Sequence, residues 1–411
     1  MNRRDFLQAG VFISLSPRIS LSPNEKLNVG MIGVGGMRGA DHLRAMASQT
    51  IAALCDVDEK FLEAAAAKHP GAKKYFDFRV MLEKEKSLDA VVISTPDHVH
   101  ARAAVMAMKL GKHVYCEKPM AHNVAEVRAM SEAAAKYKVA TQMGTQIHAE
   151  QNYRRVVESI QAGTIGKVSE VHVFVGGAWT AKGLPVHNPP PEPPAHVKWD
   201  LWLGPAEERP FSPRYHPQGW RSYWNFGGGH LADMGCHFTD LPFWALKLRS
   251  PLTAEAEGPA LDEHGAPPWL IAKYEFPGGL KLIWYHGDKR PALLAEKGMD
   301  WKGSGVLFVG DKGMLVSDYG RHKYYPEAKG PEKSIPDSIG HHNEWIEACK
   351  GGKPALCNFD YAGALTECVL LGNVAYRVGK KIEWDAAALK ARNAPEADRF
   401  LRREYRKGWS L

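Results

Sequence analysis

The chain contains no Cys-x-x-Cys pair, no polybasic run, no internal repeat and no apolar stretch near the ~20 residues of a membrane span. Each absence removes a class of protein. Without the cysteine spacings there is no zinc ribbon or dithiol redox motif. The six cysteines, several inside apolar runs such as HVYC at Cys116, read as buried free thiols. The charge of one sign is also small: 53 Lys and Arg oppose 46 Asp and Glu, a net +7 spread along 411 residues. Such a surface does not track phosphates, so no nucleic-acid partner is expected. No membrane span is expected either.

What is present is ordinary globular composition, with 45% hydrophobic and 24% charged residues and enough chain for two domains. Residues 1–26 begin Met-Asn-Arg3-Arg4-Asp5-Phe6-Leu7 and continue into a short apolar stretch. Paired arginines before Phe-Leu resemble a twin-arginine export signal. That predicts a periplasmic protein, exported folded, or a cytoplasmic one if the segment is not a working signal.

From Leu27 to Gln146 apolar strands alternate with helical stretches. LNVGMI, TIAALCD, LDAVVIST, KHVYCEK and VATQMGTQ read as strands. DEKFLEAAAAKH, HVHARAAVMAMKLG and NVAEVRAMSEAAAKYK read as helices, the second closed by Gly111. This is the spacing of βαβ units in a parallel sheet, a Rossmann-type α/β domain over residues 27–146. Residues 147–392 read differently. A helix near 153–162 and the strand VSEVHVFV lead into a Pro-rich stretch (185–210) that must be irregular. A glycine-rich turn then enters a helix at GGGHLADMGCHF. The runs LIAKYEF, GLKLIWYHG, GVLFVG and GMLVSD suit a mostly antiparallel, open-faced sheet, making an α+β domain for substrate and assembly. Residues 393–411 read as a charged, helical arm.

The first turn is Gly33-Val34-Gly35-Gly36-Met37-Arg38-Gly39, between a strand and a helix. Gly33 suits the tight turn, Gly35 the close approach of a pyrophosphate, and the helix N-terminus beyond offers free N–H groups. Arg38 stands where the third glycine of G-x-G-x-x-G belongs, and Gly39 falls one residue late. Asp56, at the end of the second strand, can accept the ribose hydroxyls and repels a 2′-phosphate. The expected cofactor is NAD rather than NADP, although Arg38 offers the phosphate a cation.

The motif Thr95-Pro96-Asp97-His98-Val99-His100, followed by Gly111-Lys112-His113-Val114-Tyr115-Cys116-Glu117-Lys118-Pro119, is more specific. With Asp233-Met234-Gly235-Cys236-His237 further on, it resembles the glucose-fructose oxidoreductase / inositol dehydrogenase / rhizopine-catabolism (Gfo/Idh/MocA) family. The resemblance covers roughly residues 27 to 390. It implies an NAD(P)-dependent oxidoreductase acting on a sugar, polyol or glycoside, often a homodimer or homotetramer. It implies that Lys118 handles the reacting hydroxyl, and that Thr95, Pro96, His100 and Glu117 line the nicotinamide ribose.

The residues support this independently. Lys118 ends a strand on the carboxyl side, where such sheets bind ligands. Asp233 and His237, four apart in a helix, share one face. Loss of hydride from a carbinol carbon requires removal of its hydroxyl proton. His237 is the candidate base, with Lys118 assisting and Asp233 orienting the substrate or the histidine. A cis bond before Pro119 would fix the lysine. Trp220, Arg221, Gln146 and His148 are candidate substrate contacts, through ring stacking and hydroxyl bonding. His98 and His100 lack a third ligand, so no metal is expected.

Three functions fit this pattern. One is net oxidation of a sugar or cyclitol carbon. The second is glycoside cleavage by transient oxidation, elimination and re-reduction on a tightly bound, recycled NAD. The third is a non-catalytic sugar and NAD sensor.

Overall fold

The computed structural model describes residues 25–411. All but the last two positions of the expected export signal lie outside the described residues.

Six strands form the first sheet: β1 (Asn28–Ile32), β2 (Thr50–Cys55), β3 (Lys73–Tyr75), β4 (Ala90–Ile93), β5 (His113–Cys116) and β6 (Thr141–Met143). They pair in parallel in the order β3-β2-β1-β4-β5-β6. Strands buried on both faces need unbroken apolar runs, and every residue of β4 is buried. The alternation predicts five of these strands. The sixth, β3, and the helix Phe78–Lys84 after it escape notice because the strand is three residues long and leads with two exposed lysines. Strand order reverses between β1 and β4, which opens a crevice at their carboxyl ends.

The second sheet has nine strands: β7 (Val168–Gly176), β8 (Thr253–Glu257), β9 (Leu270–Glu275), β10 (Lys281–Gly287), β11 (Gly305–Gly310), β12 (Met314–Ser317), β13 (His322–Tyr325), β14 (Ile382–Asp385) and β15 (Lys390–Ala391). Their order is β13-β12-β11-β7-β10-β9-β8-β14-β15, antiparallel except for the parallel pair β7 and β10. Helices Gly229–Leu246 and Phe359–Val378 pack over one face. On the other face Phe174, Leu307 and Val316 bury Leu294, Met299 and Trp301 of the β10–β11 connection, so part of that face is covered from within the chain.

Three sequence-based boundaries shift. The Pro-rich stretch is irregular except for a short helix, Trp199–Leu203. Residues 341–355 lie in the second half of the sequence but complete the core of the first domain. Helix His341–Cys349 sets Trp345 among Val29, Met31, Val92 and Tyr115, with its ring edge-on to Tyr115 at 5.7 Å. The C-terminal arm is helical over a 3-10 turn, Pro395–Ala397, and the short helix Asp398–Leu401, and then runs as a strap onto the first domain. All six cysteines are buried free thiols. Among the described residues no helix is long and apolar enough to cross a membrane.

Trp345→Ala should therefore destabilise the dinucleotide-type domain by about 3–5 kcal/mol, the usual cost of emptying a buried tryptophan site. Denaturant unfolding checks this. A midpoint unchanged from wild type would show that the helix is not part of that core.

Candidate active site

The cleft between the domains holds a cavity of about 460 Å³. Its floor is the carboxyl edge of the parallel sheet. Gly33, Gly35, Gly36, Met37, Arg38, Asp56, Thr95, Pro96, Glu117 and Lys118 all line it, as do Gln146, Trp220, Arg221, Asp233 and His237 from the later sequence.

At one end lies the glycine turn. The helix Gly36–Ala45 starts at Gly35 with no side chain capping its N–H groups. Gly39, one residue late in the sequence motif, is the glycine that brings helix against strand: a Cβ there would stand 2.4 Å from the Val34 carbonyl carbon. Asp56 Oδ2 accepts from the amides of Val34 (2.8 Å) and Gly35 (3.0 Å), and Oδ1 accepts from Asp58 N (2.9 Å). A carboxylate has about four acceptor sites, so roughly one is left for a hydroxyl.

Arg38 pairs with Asp41 at 3.6 Å and donates to the Gln146 amide oxygen at 3.1 Å. A 2′-phosphate beside Asp56 would meet an acid, while this cation is engaged by other partners. The fit to NAD is supported by the uncapped helix end, by Asp56, and by the Thr95 hydroxyl, whose buried oxygen has no hydrogen-bond partner.

At the other end, Lys118 lies just past β5, before a cis bond to Pro119. Its ammonium donates to Asp233 Oδ1 at 2.6 Å and to the Asp233 carbonyl at 2.7 Å. Trp179 Nε1 (2.7 Å) and Arg221 Nε (3.3 Å) also donate to the Asp233 carboxylate. Burial alone would raise this carboxyl, but Lys118 and Arg221 hold it well below the usual carboxylate range. Asp233 thus positions the lysine and is not bonded to the histidine four residues on.

Thr145 is the residue that orients His237. Its hydroxyl donates to the Cys236 carbonyl and meets His237 Nδ1, both at 3.3 Å. With that proton spent, Thr145 can only accept from Nδ1–H, which leaves Nε2 with the free lone pair. Burial, reinforced by Lys118, pushes the imidazole down to about 3, so it is neutral at physiological pH.

Two predicted residues lie elsewhere. His100 is buried behind the cleft, its ring between the carbonyls of Pro119 and Thr95, each at 2.9 Å, and so ties the two motif loops together. His148 stacks on Trp244 at 3.9 Å and pairs with Asp240 at 3.0 Å, one turn beyond His237 along helix Gly229–Leu246, and does not line the cavity. With Cys357 these two form a buried group of metal-ligand spacing. Asp240 is already engaged there by His148 and by the Tyr361 hydroxyl at 2.6 Å. His98 is buried, with Nε2 at 2.9 Å from the Trp202 carbonyl.

Residues 27–145 match the model of an oxidoreductase family with an NAD-binding Rossmann fold, and residues 143–411 match that family's C-terminal alpha/beta domain. The chain belongs to the Gfo/Idh/MocA oxidoreductase family. It is 32% identical over 170 residues to an inositol 2-dehydrogenase of Salmonella typhimurium, covering 40% of this chain and 49% of that one. It is 34% identical over 171 residues to a glycosyl hydrolase family 109 protein of Solibacter usitatus, covering 37% of each. The chain spans about half the length of the first of these curated relatives. In fold it is similar to the WlbA dehydrogenase of Bordetella pertussis, solved with NADH and UDP-GlcNAcA. The TM-score is 0.66 at 19% identity, over 88% of this chain and 99% of that one.

The Gfo/Idh/MocA motifs account for the floor of the cleft and miss several of its walls. His42 joins Ser94 Oγ (2.6 Å) to Glu117 Oε1 (3.1 Å). Burial would raise the Glu117 carboxyl, but this bond, with Lys118 and Arg38, holds it well below the carboxylate range. His42 lies three residues after Gly39 on the buried face of its helix, a spacing that marks it in the sequence. Trp179 and Tyr319 also line the cavity and sit in loops, where no periodicity marks them.

Asp97, within the Thr-Pro motif itself, is buried in the same wall, and desolvation raises its carboxyl to about 8. An acid raised from an ordinary value near 3.9 stabilises the fold least at high pH. The stability cost grows from about pH 4 to pH 8. Asp97→Asn should melt with wild type near pH 4 and above it at pH 8. Equal melting temperatures at pH 8 would contradict the buried, proton-bearing state.

Proposed function

We propose that the protein is an NAD-dependent oxidoreductase that oxidises a secondary hydroxyl of a sugar or cyclitol. The observation that carries this is the meeting of the Asp233-bound Lys118 ammonium with the neutral His237 in the cavity that Asp56 and the glycine turn open. A bound nicotinamide supplies the hydride acceptor. The chain's own residues manage the proton. Lys118 donates a hydrogen bond to the substrate oxygen, and His237 Nε2 takes the hydroxyl proton as the carbonyl forms. Asp233 keeps the ammonium aimed, and Thr145 keeps Nε2 free. Trp179 and Trp220 offer flat faces for a sugar ring. The Arg221 guanidinium, 4.2 Å from the Trp220 ring, is placed for its hydroxyls.

The similarity to a glycosyl hydrolase family 109 protein favours a second reading on the same site, in which oxidation is transient. A ketone acidifies the neighbouring C–H. Elimination of an aglycone, addition of water across the resulting double bond and re-reduction of the ketone would then give hydrolytic cleavage with no net redox change.

One assay separates the readings. The purified protein is incubated with NAD and a panel of polyols, sugars and glycosides, and reduced cofactor and product mass are both followed. Accumulating reduced cofactor supports net oxidation. Cleavage without reduction supports the second reading, and sugar binding without either leaves a sensor.

Lys118→Ala and His237→Ala should each lower kcat/KM about 10²-fold or more while NAD still binds, a range typical of lost acid–base groups. Retained activity in both would sink the assignment. Because His237 is neutral above about pH 3, the pH profile of kcat/KM should lack an acid limb between pH 6 and 7. A limb there that disappears in His237→Ala would contradict the buried neutral base.

A further inference from the structure

Residues 403–409 run against the first domain and the helix Trp199–Leu203, held at Arg403, Arg406, Gly408 and Trp409. Arg403 pairs with the buried Glu126 at 2.9 Å. Arg406 donates to the Gly204 carbonyl at 2.8 Å and to Asp200 Oδ1 at 2.7 Å. Arg79 donates to the Gly408 carbonyl at 3.3 Å and lays its guanidinium 3.8 Å from the Trp409 ring. Arg79 is itself held by Asp77 at 2.7 Å.

These anchors seat a tryptophan inside the molecule. Trp409 is only 4% exposed, lies 6.0 Å from the Phe78 ring, and lines the cofactor cavity. Its position along the cleft is informative. Lys118, Asp233 and His237 mark the reacting end, and Asp56 marks where a ribose is held. Next to Asp56 the cavity is also lined by Val57, Phe76, Asp77, Phe78 and Val99 of the first domain. An aromatic base attached to that ribose suits these mostly apolar and aromatic neighbours. Leu201 and Trp202 of the short helix Trp199–Leu203 and Trp409 of the strap complete the lining.

We propose that Trp409 is a cofactor-binding residue, and that the C-terminal strap walls the adenine slot so that release of NAD requires the strap to lift. The proposal rests on the NAD reading of the cleft. It explains why an arm rich in arginine carries a buried indole, and why Arg79 serves both the strap and the turn after β3.

The test uses the full-length protein and binding of NAD, ADP-ribose and nicotinamide mononucleotide by calorimetry, with NAD release followed by stopped flow. Trp409→Ala should weaken NAD and ADP-ribose roughly tenfold or more and speed NAD release, leaving nicotinamide mononucleotide unchanged. Trp409→Phe should keep most of the affinity and lose part of the fluorescence quench that ADP-ribose causes in wild type. Arg406→Ala, which frees the strap without altering the slot, should speed release if Trp409→Ala fails to fold. Unchanged release in Arg406→Ala and an unchanged quench in Trp409→Phe would overturn the proposal, as would equal weakening of the mononucleotide. Wild-type protein that binds neither NAD nor ADP-ribose would overturn the cofactor reading and the proposal with it.

Discussion

The cleft depends on one buried ion pair, Lys118 with Asp233. It joins the carboxyl edge of the parallel sheet to the helix that enters the second domain. Burying two charges is costly, and a buried pair is weak support for stability. Its value here is in placement. The carboxylate gathers Lys118, Arg221 and Trp179, so a lysine from one domain and an arginine and indole from the other converge on one group. Removing Asp233 would leave two cations facing each other beside His237, whose low proton affinity already reflects burial and, after it, Lys118.

The domains are interlocked more deeply than their order along the chain suggests. Helix His341–Cys349 closes the core of the first domain, helix Phe359–Val378 packs against its helix Val124–Tyr137, and the strap returns a second time. Each return places a wall of the cleft. The parallel sheet supplies a floor that any dinucleotide fold of this kind has. The walls come from loops and tails, and those differ in what they allow a ligand to do. Trp179, Trp220 and Arg221 line the cavity around Asp233, and Trp409 and Trp202 line it too.

Much of the site was legible beforehand because motif residues sit at fixed places on regular elements. Gly33, Asp56, Thr95, Lys118, Asp233 and His237 all end strands or face one side of a helix, and all line one cavity. His148 and His100 show the limit. Both follow the right elements, yet the local backbone turns His148 toward Asp240 and His100 toward two carbonyls. Which way a side chain points after the last strand residue depends on what packs behind it. Helical spacing leaves Asp233 to orient either the substrate or His237; in the structure the group against His237 Nδ1 is Thr145, which lies 92 residues earlier in the chain.

The sequence by itself determined the parallel sheet, the glycine turn, the acid that ends the second strand, and the lysine and histidine that meet in the cleft. Those follow from local periodicity and from short motifs whose chemistry needs no distant partner. Tertiary structure alone decided that Gly39 takes up the missing glycine's task and that Arg38 is engaged by Asp41 and Gln146. It also decided that Asp97 is buried enough to keep its proton and that Trp409 reaches the cofactor cleft. The reason is the same in each case. Burial and contact between residues hundreds of positions apart set these outcomes, and neither leaves a period in the sequence.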